Sequence, residues 1–95
     1  MGIRFSAQGP RAITANQIGK LLEDNPKRLN LTTQNFGAGR VILKKNGPPT
    51  SNTDGFLVAV NATVFDGPPD KDVHLGEWWF REIDGLATTL YVIEN

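Results

Sequence analysis

Residues 25–43 read NPKRLNLTTQNFGAGRVIL, and this stretch decides the fold class. Asn25-Pro26 closes the preceding segment, because the residue before a proline is pushed out of the helical region. Over 28–35, Leu29, Leu31 and Thr33 alternate with Arg28, Asn30, Thr32 and Gln34. That is the period of a strand with one face on a core and one face free. The spacing predicts a strand over 28–35 and a reversal at Gly37 and Gly39, where positive φ carries no Cβ strain. A second strand follows over 39–45, making a β-hairpin with a polar outer face.

Outward from the hairpin, the punctuation stays of turn type: Gly9-Pro10, Asn46-Gly47-Pro48-Pro49, Asp54-Gly55, Asp66-Gly67-Pro68-Pro69 and Asp84-Gly85. The runs between these marks are short and rich in β-branched and aromatic residues, which places further strands near 3–7, 56–60, 74–83 and 87–94. The expected architecture is all-β: one domain over 1–95, a compact β-sandwich or jelly-roll-like barrel of about six to eight short strands. One segment departs from the pattern. TANQIGKLLEDN has Ile18, Leu21 and Leu22 at helical spacing, and Thr14 with Gln17 forms a T-x-x-Q capping box. This predicts a short helical turn near 15–24.

A chain of 95 residues has a thin stability margin as one core, and self-association is a common remedy. The absence of cysteine removes both disulfides and thiolate metal sites. The start, MGIRFSAQGPRAI, lacks the apolar run of a signal peptide, and no stretch reaches the length that spans a bilayer. The reading is a soluble protein made inside the cell. Net charge is zero, but residues 1–48 hold eight Lys/Arg against two Asp/Glu, and residues 49–95 hold two against eight. Either the halves interleave and cancel, or opposite patches meet in neighbouring copies.

Chemistry is hard to find. His74 is the single histidine, and neither Ser6 nor Ser51 sits in a nucleophile elbow. Asp66, Asp70 and Asp72 do not fit the twelve-residue calcium loop. GAGR at 37–40 lacks the strand-to-helix setting of a phosphate loop. Lys27-Arg28 and Lys44-Lys45 are doublets rather than a basic stripe, which argues against nucleic acid. The expectation is a non-enzyme without metal or cofactor. What stands out is HLGEWWFREI, 74–83. On a strand, Trp78 and Phe80 share the core face while Trp79 points outward between Glu77 and Arg81. An outward tryptophan framed by charge has the composition of an interface centre, or it is covered by a loop.

Asn25-Pro26-x-Arg28-x-x-Leu31-x-x-Gln34-Asn35, followed by a glycine turn and a short strand, resembles a group of small tailed-bacteriophage virion proteins. TTLYVIE, 88–94, is similar to the closing strand of that group. The resemblance implies a structural role on the particle, as a capsid decoration (cement) protein at the capsid surface, synthesised in the bacterial cytoplasm. Its implied partners are the major capsid protein or other virion subunits, with a homo-oligomer (dimer or trimer) and no membrane or nucleic acid. It also implies that Asn25, Arg28, Gln34 and Asn35 are the hydrogen-bonding frame of the hairpin. A neck or tail component belongs to the same class. A small carbohydrate- or host-factor-binding module, with Trp79 and Tyr91 as a stacking platform, is the alternative from a different class.

Overall fold

The computed structural model describes residues 7–68 and 72–95, with side chains from residue 9. Eight strands carry the described chain: β1 (Ala7–Ile13), β2 (Ile18–Leu22), β3 (Leu31–Asn35), β4 (Val41–Lys45), β5 (Phe56–Val58), β6 (Thr63–Asp66), β7 (Trp78–Glu82) and β8 (Thr88–Glu94). They form two four-stranded sheets, in the orders β1-β8-β3-β6 (sheet A) and β2-β7-β4-β5 (sheet B). Every pairing is antiparallel. The protein is a β-sandwich whose strand order is that of a jelly roll, the double Greek key that leaves only short sheet edges.

The core lies between the inner faces, where alternation delivers it. Sheet A contributes Ile13, Leu31, Leu90 and Val92, and sheet B contributes Leu21, Val41, Leu43, Val58, Trp78 and Phe80. The expected split of β7 holds: Trp78 and Phe80 are buried, and Trp79 faces out.

The opening stretch folds differently from a hairpin. β3 pairs with β6 and β8, whereas β4 pairs with β5 and β7. Residues 36–40 therefore cross from one sheet to the other, as most connections of a jelly roll must. Neither Gly37 nor Gly39 takes positive φ. They are glycine because the crossing is tight: a Cβ at 37 would collide with Thr88, and one at 39 with Glu82 and the Leu86 carbonyl. The strand begins at Leu31, after a turn, so the alternation extrapolated back to 28 fails. Leu29 is exposed and Arg28 is buried.

No helix forms at 15–24. Gln17 N–H donates to the Thr14 carbonyl at 3.1 Å, and the Thr14 N–H to Gln17 Oε1 at 2.9 Å, so the capping pair closes a turn. An isolated helix of this length is marginal in water, while pairing with β7 satisfies the same backbone. A bulge between Lys20 and Leu22 puts two successive leucines on the core side, and this imitates helical spacing. β6 and most of β1 are further strands beyond the sequence reading. The strand expected at 3–7 lies almost wholly outside the described residues.

Candidate interaction surfaces

Buried polar side chains fix both ends of the sandwich. At the end bearing loops 14–17, 36–40, 59–62 and 83–87, Asn35 is fully buried. It donates to the Gly39 and Val58 carbonyls (2.8 and 3.2 Å) and accepts from Gly37 N–H and the Thr88 hydroxyl (2.9 and 2.7 Å). Beside it, the Glu82 carboxylate accepts the backbone N–H groups of Asn16, Asp84 and Leu86 at 2.8, 2.7 and 3.1 Å. At the opposite end Arg28, 2% exposed, donates to Glu94 at 2.7 Å and to the carbonyls of His74, Gly76 and Glu23 at 2.6, 3.0 and 2.9 Å. Asn25 holds its own turn by accepting the Lys27 N–H. Asn25, Arg28 and Asn35 thus bind loops rather than frame a hairpin, and Gln34 lies on the outer face of sheet A instead.

The charge asymmetry of the sequence is spent inside the molecule. Lys20–Glu77 (2.8 Å), Arg28–Glu94 (2.6 Å), Arg40–Asp84 (2.7 Å) and Lys44–Asp54 (2.6 Å) each join a cation of the first half to a carboxylate of the second. Interleaved strands bring the halves together, and the opposing charges neutralise one another locally.

The outer face of sheet B carries two of these pairs. Lys20 sits over the Trp79 ring, 5.4 Å from its centroid, and the indole N–H donates to Glu77 at 3.0 Å. The Lys20 ammonium, then the indole, hold the Glu77 carboxyl below its ordinary value. Loop 46–55 folds across the same face. Asp54 accepts from Lys44 and from the Thr50 N–H and hydroxyl, chiefly the ammonium pulling its pKa down to about 2. Arg81 reaches the Pro49 carbonyl at 3.4 Å. Pro49 and Ile42 are both buried, although Ile42 is on the outer side of β4. Trp79, Glu77 and Arg81 are therefore together on one face, each already in contact within its own chain.

The outer face of sheet B also leaves Ile18 and Leu57 exposed; the outer face of sheet A differs in its charge and in its rings. Its register aligns Thr63, Gln34, Tyr91 and Pro10 in one row and Phe65, Thr32 and Ile93 in the next, with Ala12 and Thr89 beyond. Phe36 meets Tyr91 edge to face at 6.3 Å. Phe65 is 44% and Phe36 58% exposed. None of these positions is charged. The sequence places Thr32 and Gln34 on a free strand face but does not show the face as a whole, because its residues come from four separated segments; the further signal is the uncharged alternate positions of 63–65 and 89–93. Trp79 and Tyr91 lie on the outer sides of different sheets, so they cannot form one stacking platform.

No catalytic constellation gathers among the described residues. The His74 ring contacts Trp78 and the Glu77 carbonyl, while the Ser51 hydroxyl is shared with Thr53. Asp66 accepts the His74 N–H at 2.8 Å; Asp70 is outside the described residues. No group of three or more metal-ligating side chains occurs among the described residues, and no helix there is long and apolar enough to cross a membrane. Comparison with known proteins returns no matching family model, curated protein or solved structure.

Proposed function

We propose that the chain is a structural virion subunit of a tailed bacteriophage, a capsid decoration protein that packs on the shell and stabilises it. The observation that carries this reading is the outer face of sheet A: uncharged and aromatic at its described positions and covered by no described segment, on a molecule that closes ion pairs internally. Scattered exposed apolar residues are ordinary, but a contiguous patch marks an interaction site. The sequence resemblance and the use of jelly rolls in viral capsids lend support by analogy, which bears on fold more than on function. Loops pinned by Asn35, Glu82 and Arg28 suit a subunit that must dock without paying to order itself.

The test is co-sedimentation of purified protein with undecorated shells and, separately, with tails of the encoding phage. Binding to shells, lost in Phe65→Lys and kept in Leu57→Lys on the opposite face, supports the reading. Binding to tails alone moves the protein to the neck or tail. The same aromatic, hydroxyl- and amide-bearing face also suits a neutral glycan, so a retardation series on uncharged polysaccharides is the competing arm.

A further inference from the structure

The outer face of sheet A has a relief as well as a chemistry. At the centre of the sheet β8 turns out Tyr91 and Ile93 beside Gln34 and Thr32 of β3, row by row. A two-fold axis lying in the contact plane and parallel to the strands reverses the strand order in the facing copy. It sets β8 over β3, Tyr91 over Gln34 and Ile93 over Thr32, the bulkier side chain over the smaller in each row. An axis across the strands would instead set β8 on β8, bulky on bulky. We infer that a second copy of this chain occupies the face, paired back to back about a two-fold parallel to the strands.

Charge agrees with shape. A two-fold interface brings each patch against itself, so it must be self-complementary, and an uncharged patch meets no like-charge repulsion. Along the central row, Tyr91 of one copy faces Gln34 of the other, and a phenol O–H is a fitting donor to an amide oxygen. Aligned sheets pack about 10 Å apart at about 30°, a distance these side chains fill.

Size sets the strength. Strands of four to seven residues, spaced ~4.8 Å apart and rising ~3.3 Å per residue, give a footprint of roughly 300–400 Å² per copy. That is well below the roughly 800 Å² per partner of a standard interface. The pair is a reversible dimer, with Kd on the order of 100 µM, the weak end of specific association. On a shell, a weak contact of this kind is reinforced by its neighbours. The inference rests on the proposal that this face packs against protein, and its test separates the two.

The full chain is examined by sedimentation velocity from about 10 µM to about 1 mM, where mass action moves such an equilibrium. The expected result is a shift from monomer to dimer that persists when salt rises from about 0.1 to about 1 M, because no ion pair contributes. Gln34→Lys and, separately, Thr63→Lys should raise Kd at least about tenfold, the loss of about 1.4 kcal/mol, with unchanged melting. Leu57→Lys on sheet B should leave the dimer intact. A chain that is monomeric at 1 mM, or a dimer broken by Leu57→Lys and spared by Gln34→Lys, overturns the inference. If the monomeric chain still binds shells through sheet A, the proposed function stands without the two-fold. A dimer that binds no shell keeps the two-fold and ends the virion reading.

Discussion

The two outer faces of this sandwich are both built from short strands, yet they solve opposite problems. Sheet B turns outward a lysine, a glutamate, an arginine and a tryptophan, and the chain then uses them: Lys20 caps Trp79, Glu77 receives both, and loop 46–55 settles over Ile42. Sheet A turns outward threonine, glutamine and aromatic residues, and no described segment folds back over Phe65 or Phe36. Charge appears where sheet B contacts its own chain and is missing from the outward positions of sheet A, although Ile18 and Leu57 also stand exposed on sheet B. An exposed charge does not by itself mark an interface, because surface ion pairs add little energy and are easily satisfied within one chain. The informative surface is the one that leaves aromatic rings in water with no charge among them.

The largest expected effect tests the side-chain direction on which both faces depend. Trp78 is 3% exposed within the core, while Trp79 is half-buried under Lys20. Trp78→Ala should cost ~3–5 kcal/mol, approaching the ~5–15 kcal/mol that holds a typical domain folded. Trp79→Ala should cost about 1–2 kcal/mol, in line with partial burial. Urea unfolding of the two variants measures the difference; equal costs would mean that the face assignment of β7 is wrong.

Next in size is the aromatic pair on the open face. Tyr91→Ala should destabilise the monomer by about 1–2 kcal/mol through its half-buried ring. A double-mutant cycle with Phe36→Ala should show coupling of ~0.5–1.5 kcal/mol from the edge-to-face contact. Zero coupling at low protein concentration would separate the two rings and shrink the continuous patch.

How far the sequence foretold these faces depends on whether the signal was local. β7 and β8 are legible because WWFRE and TTLYVIE are short aromatic and β-branched runs bounded by turn residues. β2 is not, since its bulge places Leu21 and Leu22 on one side. The 36–40 crossing looks like a hairpin in sequence because glycine marks a tight approach and a chain reversal alike. Arg28 was misplaced because alternation cannot say where a strand begins, and a buried guanidinium is intelligible only once Glu94 and three carbonyls are seen around it. The open face was the least legible: β1, β3, β6 and β8 contribute it jointly, and only topology brings them side by side.

Acid distinguishes the faces without mutation. Asp54 is drawn down to about 2, first by Lys44 and then by Thr50, and Asp84 to about 2, first by the Arg40 side chain and then by its N–H. A carboxylate whose pKa is lower folded than unfolded contributes fully above the unfolded value of 3.8 and loses that contribution as pH falls through about 2. Thermal melts should therefore be flat near neutrality and decline between about pH 4 and 2. Lys44→Ala should remove part of that decline, because the ammonium is the main cause of the Asp54 shift. Gln34→Lys, on the face that holds no carboxylate, should leave the profile unchanged. A profile insensitive to Lys44→Ala would mean that loop 46–55 is not held by this pair.

The smallest expected effect on stability carries the sharpest contrast. Thr32 occupies on β3 the kind of outward, half-exposed position that Lys44 occupies on β4. Its neighbours across the strands are Phe65 and Ile93, so a lysine there finds no carboxylate, but its long stem can lie along the apolar rings with the ammonium in water. Thr32→Lys should consequently change monomer stability by no more than about 0.5 kcal/mol, as for most surface substitutions. The same ammonium would be stranded if another protein surface covered the face, since a buried charge without a partner is strongly penalised. A monomer that melts as before, together with loss of every association through sheet A, is the expected pair of results. A monomer destabilised by 2 kcal/mol or more would instead show that the side chain at 32 is already enclosed by its own chain. The contrast between a self-covered face and an open one would then fail at its starting point.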